Sequence, residues 1–94
     1  MSDNSIFVGD KPFLNYVTGI VIQFTMHQES EVIVKARGNQ IARAVDVAEA
    51  AVKRFLHGKV RVQNVHIDSE PAQSKSGDHV HVSCINITLA RIEE

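Results

Sequence analysis

Between Glu31 and Phe55 the chain passes from a β-branched run through a basic turn into a helical repeat, and this unit alone restricts the fold to a mixed α/β class. Val32, Ile33 and Val34 have the unbroken apolar character of a central strand covered on both faces. Ile41, Val45, Ala48, Val52 and Phe55 then recur at intervals of four and three, which predicts an amphipathic helix with those residues inward. Asn39 suits the N-cap of that helix, and Gly58 suits the left-handed residue beyond its end. On its solvent side, Arg43 is placed to pair with Asp46 and Glu49 with Lys53.

The flanking segments extend the pattern. Ser5 to Val8 alternates as a short strand, and Pro12 fits the first position of a helix whose stripe is Phe13, Val17, Ile20 and Phe24, running to about His27. Gly19 inside that helix marks the close approach of another backbone. Further on, Val60 and Val62 alternate in one phase, Val65 and Ile67 in the other, so a bulge near Gln63 and Asn64 is required. Pro71 to Asp78 has loop composition, and His79 to Ala90 returns as a strand with Ile85, Ile87 and Leu89 on one side. The order strand, helix, strand, helix, strand, strand predicts a two-layer sandwich with two helices on one face of a four-stranded mixed sheet. Its last two strands form a hairpin whose polar tip protrudes as an arm.

Ninety-four residues make one modest domain, 1–94, whose small core would gain from a second copy. No apolar run is long enough to span a bilayer, so no membrane partner is expected. Met1 to Asn4 lack the layout of a secretion signal, and a single cysteine, Cys84, has no intrachain partner; both suit a cytoplasmic chain. In its strand Cys84 reads as a buried reduced thiol rather than a reactive one.

The chemistry is equally bounded. No nucleophile elbow, phosphate-binding glycine loop or zinc motif is present, so neither an enzyme nor a cofactor is expected. Asp68 and Glu70 read as surface acids rather than a catalytic pair. His79 and His81 share a strand face but lack a third metal ligand, which makes them solvated hairpin residues. The net charge of −1 does not by itself suggest nucleic acid, yet the charge is uneven. Lys35, Arg37, Arg43, Lys53, Arg54, Lys59 and Arg61 lie between positions 35 and 61 with only Asp46 and Glu49 opposing them. Lys35, Arg37 and Arg43 surround the turn Gly38-Asn39-Gln40 before a helix, where unpaired N–H groups also project. That is either an anion-binding arrangement, with Gly38 letting a phosphate approach the backbone, or a solvated strand end.

Three segments carry a resemblance: Gly9-Asp10-Lys11-Pro12 with Asn15-Tyr16-Val17, then Val34-Lys35-Ala36-Arg37-Gly38 with Ile41 and Ala44-Val45-Asp46, then Arg54-Phe55-Leu56. In order and spacing, over nearly the whole chain, they resemble the Alba family of archaeal chromatin proteins. The resemblance implies the sandwich read above and a homodimer that binds double-stranded DNA, and often RNA, mainly through the backbone. It implies nucleic-acid contacts at Lys11, Arg37 and Arg43, with Phe55 joining one dimer to the next; the expected binding surface also takes in Lys35, Gly38 and Asn39 at the turn and Lys75, His79 and His81 on the arm. Such a protein would be chromosome-associated. This chain departs from the family pattern by carrying Asp10 where a first, acetylatable lysine is common, Asn39 for an arginine, Asp78 and His81 on an often basic arm, and Glu93-Glu94 at the end. Each departure removes attraction to phosphate. The alternative functions are an RNA-binding regulator or ribonucleoprotein component on the same fold, and a protein-interaction module without nucleic-acid binding.

Overall fold

The computed structural model describes residues 4–92; Glu93 and Glu94 lie outside the described residues, as does most of the N-terminal stretch read for a secretion signal. The elements are β1 (Ser5–Phe7), α1 (Phe13–Thr25), β2 (Glu31–Arg37), α2 (Ile41–Ala50), β3 (Val60–Gln73) and β4 (His79–Arg91). A 3-10 turn, Gly38–Gln40, joins β2 to α2, and a π turn, Ala51–Phe55, continues α2. The sheet order is β1-β2-β4-β3, with β1 parallel to β2 and the other neighbours antiparallel. The mixed two-layer architecture therefore stands as the element pattern predicts.

The core lies between the helices and one face of the sheet. Val17, Ile20 and Phe24 of α1 are buried with Val32 and Val34 of β2 and Ile87 and Leu89 of β4. Burial of each such side chain contributes roughly 1.5–3 kcal/mol. Arg91 fastens the end of β4 to the end of α1: its Nε donates to the Glu29 carbonyl at 3.0 Å, its Nη2 donates to the Phe24 carbonyl, and its guanidinium lies 5.7 Å from the Phe24 ring centroid.

Several local expectations change. Strand β2 is interior but covered on one face only: Val32, Val34 and Ala36 are buried, whereas Ile33 and Lys35 on the opposite side stay partly exposed because neither helix crosses there. Of the predicted stripe Ala48 is buried and Ile41 and Val52 pack partly buried against the core, but the inward face is turned toward Ala44, Val47 and, in the π turn, Ala51, mostly small residues that let the helix lie close to the sheet and α1. Val45 and Phe55 are consequently left exposed, at 39% and 54%. Pro12 is the N-cap rather than the first helical residue, and α1 ends at Thr25 instead of His27. There Gln28 takes φ 54° and Glu29 donates its N–H to the Gln23 carbonyl at 3.0 Å, closing the helix as a glycine usually does. The neighbour of Gly19 is a side chain and not a backbone, the Ile6 methyl 3.5 Å from an added Cβ.

The hairpin follows the alternation closely. The register shifts between Val62 and Asn64, so Val62, Val65 and Ile67 all share the face of Leu89, Ile87 and Ile85. Pro71, Ala72 and Gln73 belong to β3 rather than to the loop, because β3 is the edge strand and a proline there breaks no ladder hydrogen bond. Beyond Val60 the residues of β3 are almost all exposed, and the hairpin gives the molecule its 50 × 27 × 25 Å extents.

Candidate nucleic-acid interface

One element binds the loop after β1 to the start of both helices. Tyr16, one turn into α1 and 8% exposed, accepts hydrogen bonds at its hydroxyl from the N–H groups of Gly9 at 2.9 Å and Lys11 at 3.0 Å. A buried tyrosine body needs a partner for its polar tip, and this loop supplies two. From the other side Arg43 of α2 donates through Nη2 to the Lys11 carbonyl at 2.7 Å and places its guanidinium 5.9 Å from the Tyr16 ring centroid. Gln40 donates to the Asp10 carboxylate at 2.8 Å. Lys11 and Arg43, 32 residues apart in sequence, are thus held together. The expected Arg43 pairing with Asp46 gives way to this contact, whereas Lys53 does reach Glu49 at 2.9 Å.

The end of β2 supplies the second group. Gly38 has φ +59°, so a glycine is favoured there by conformation alone, independent of any phosphate approach. Asn39 is inside the 3-10 turn and does not cap α2; Gln40 is the N-cap and makes no side-chain capping bond, and the Ile41 N–H that opens α2 donates to the Gly38 carbonyl within the 3-10 turn instead. Strand alternation turns Lys35 and Arg37 onto the open face of the sheet, away from the helices. The Lys35 ammonium lies 5.5 Å from the Phe7 ring centroid, and Arg37 Nε lies 3.5 Å from Glu70 Oε1. These two cations therefore do not join the Lys11–Arg43 cluster directly; they continue it around the strand end.

Cys84 is not buried. It faces the same open side as Arg37, its cross-strand partner, and its thiol donates to Glu70 Oε1 at 2.9 Å. The carboxylate accepting that proton raises the thiol pKa above its ordinary value. Glu70 is exposed as the sequence suggests, yet it is engaged by both Arg37 and Cys84.

The remaining candidates are spread along the arm. His79 and His81 pair with Gln73 and Pro71, and Lys75 lies in the connecting loop. At about 3.3 Å per residue, His79 is roughly 17 Å from the Arg37–Cys84 row. Within the loop Ser74 and Gly77 close a tight turn, Gly77 at φ 89°, and Ser76 Oγ donates to Asp78 at 3.2 Å. Phe55 stands exposed on the π turn, where the Leu56 N–H reaches the Ala51 carbonyl at 2.9 Å and Leu56 takes the buried position.

Beside α2 the hairpin carries a largely apolar groove: Val45, Ala48, Val62, Val65, Ile85 and Ile87, with Glu49, line a cleft of about 90 Å³. Of these Val65 is 51% exposed, and Ile67, further out on the same face of β3, is 74% exposed. Among the described residues no group of three His, Cys, Asp or Glu side chains is placed to hold a metal ion, and no helix is long and apolar enough to cross a membrane.

The cations are readable from residue type, but the anchoring role of the Tyr16 hydroxyl, the Asp10–Gln40 bond and the engagement of Glu70 with Arg37 and Cys84 are not. A tyrosine one turn after a Gly-Asp-Lys loop is the available signal for the first. Glu70 gives none, since its place depends on the β3–β4–β2 register.

Comparison with known proteins gives a consistent pattern. The sequence profile of the family described as Alba matches residues 4–69. The chain is similar to "DNA/RNA-binding protein Alba" of Nanoarchaeum equitans, at 48% identity over 87 residues, 92% of this chain and 96% of that protein. It is similar to "DNA/RNA-binding protein Alba 1" of Archaeoglobus fulgidus, at 47% over 91 residues, 97% and 99% of the two chains. Among solved structures, Alba from Thermoplasma volcanium superposes with a TM-score of 0.84 at 41% identity, covering 93% of this chain and 99% of the other.

Proposed function

The chain belongs to the Alba family, and from that footing we propose that it is an architectural nucleic-acid-binding protein, gripping double-stranded DNA as a homodimer through backbone phosphates. The observation that carries this reading is the fastening of Lys11 to Arg43 near the start of α2, which gathers two permanent cations on one rigid surface. Lys35, Arg37, Gly38 and Asn39 extend that surface around the strand end. Lys75, His79 and His81 reach further along the duplex from the arm. Asp10, Glu70 and Asp78 lie among these groups and weaken the attraction, in keeping with the net charge of −1.

The apolar groove between α2 and the hairpin supports a dimer, because a second copy docked there would bury Val45, Val62, Val65 and Ile67 and hold two arms in fixed relation. Phe55, exposed away from that groove, is the contact between neighbouring dimers on a chromosome. An RNA duplex is the second reading: the relatives' names include both nucleic acids, and contacts limited to phosphate do not separate the two. Crosslinking in cells followed by sequencing of both bound DNA and bound RNA tests the proposal. Broad recovery of DNA supports the architectural reading, recovery of a restricted RNA set supports the alternative, and recovery of neither contradicts both.

A further inference from the structure

Resting on that reading, we infer that Glu70 is a built-in competitor for phosphate, which occupies Arg37 in the free protein and sets how tightly this face holds nucleic acid. Arg37 Nε lies 3.5 Å from Glu70 Oε1, and a carboxylate offers a guanidinium the same paired oxygens as a phosphate does. Both side chains are more than half exposed, so the pair contributes little to the fold and is open to exchange with an incoming anion.

The placement is specific to this sheet. Arg37 pairs across strands with Cys84, Cys84 with Asp68, and Glu70 with Val82 one row further out, so Glu70 reaches Arg37 diagonally across β4. The Cys84 thiol donates at 2.9 Å to the same oxygen that faces Arg37, which steadies the carboxylate over the guanidinium. Asp68 is nearer in register but its Oδ1 accepts the Ser69 N–H at 2.8 Å, and the same face therefore holds a second acid that leaves Arg37 alone. When a phosphate takes Arg37, the Glu70 carboxylate must be displaced into water or remain beside the phosphate as a like charge. Either course subtracts from affinity.

Asp68 provides the control for simple loss of negative charge. Duplex DNA affinity at low salt is measured for the full chain and for Glu70→Gln, Asp68→Asn and Arg37→Ala, with Glu70→Gln and Asp68→Asn each repeated in the Arg37→Ala background. Glu70→Ala serves as a second form of the first variant, and circular dichroism checks that each folds. Release of an exposed pair predicts that Glu70→Gln tightens binding roughly two- to fivefold. That gain disappears when Arg37 is alanine, while the smaller gain from Asp68→Asn persists there. In the free protein the Arg37 Nε–H resonance moves in Glu70→Gln and not in Asp68→Asn. If Arg37→Ala weakens binding but Glu70→Gln gains no more than Asp68→Asn, or gains equally without Arg37, the competitor role is wrong and the binding face stands. If Arg37→Ala leaves affinity unchanged, Arg37 is no phosphate contact and the competitor role falls together with that part of the face.

Discussion

Replacing Tyr16 by phenylalanine removes one oxygen and leaves the ring in the core, so its effect isolates the hydroxyl that anchors the loop before α1. Two N–H groups, those of Gly9 and Lys11, lose their acceptor. Each such bond contributes about 0.5–1.5 kcal/mol net, and water can reach the Lys11 side, so the expected loss is about 1–2 kcal/mol. For a domain of this size that corresponds to a fall in melting temperature of about 4–16 °C, measured at fixed protein concentration. The phenylalanine face still receives the Arg43 guanidinium, so no charge leaves the surface. Loosening the loop by the equivalent of one backbone residue costs about 1 kcal/mol, or about fivefold in DNA affinity. Thermal unfolding and fluorescence anisotropy against a labelled duplex read both effects. The reasoning predicts weaker binding with an unchanged salt dependence; an unaltered melting temperature together with unaltered affinity would refute the anchoring role of the hydroxyl.

Three further outcomes follow from particular contacts. Val65→Asp leaves a monomer undisturbed, since Val65 is exposed, but places a charge in the groove where a second copy would sit; light scattering should show the native dimer mass and a monomer mass for the variant, and a native monomer would remove the dimer. Gln28→Gly relieves a left-handed φ of 54° at the end of α1 and should raise stability by about 1 kcal/mol in urea unfolding, whereas a loss would show that the glutamine side chain matters more than its backbone. Glu70→Gln should shift the alkylation profile of Cys84 to lower pH, because Glu70 raises the thiol pKa in the folded protein. Since the fold holds that proton more tightly than the unfolded chain does, its contribution to stability is present at neutral pH and is lost as pH rises through the thiol's folded titration range. Identical alkylation profiles for native and variant would contradict the Sγ–Glu70 hydrogen bond.

Much of the architecture was legible because periodicity reports burial directly. The two phases of Val60-Val62 and Val65-Ile67 require the register shift found between Val62 and Asn64. The α1 stripe of Val17, Ile20 and Phe24 is the buried one. Helix α2 misled because two stripes coexist in its sequence. Reasoning by hydrophobicity adds Val45 and Phe55 to the buried Ala48, while close packing on a sheet selects Ala44 and Ala51 beside it. Pro71 was misplaced because nothing local marks β3 as the edge strand. At the site, Lys11, Arg37 and Arg43 could be named from residue type and family resemblance, but their partners could not. The Lys11 carbonyl, the Tyr16 hydroxyl and the Glu70 carboxylate come from other segments and meet the cations only after folding.

The claim that this surface grips phosphate is tested most directly by the salt dependence of duplex binding in the native chain and in Lys11→Gln, whose backbone carbonyl still receives Arg43 while its charge is gone. Several unrelated DNA sequences should be compared. The account predicts equal weakening on all of them and a slope of log affinity against log salt shallower by up to about 0.9, the share of one neutralised phosphate. Coincident lines for the two proteins, in height and in slope, would contradict it.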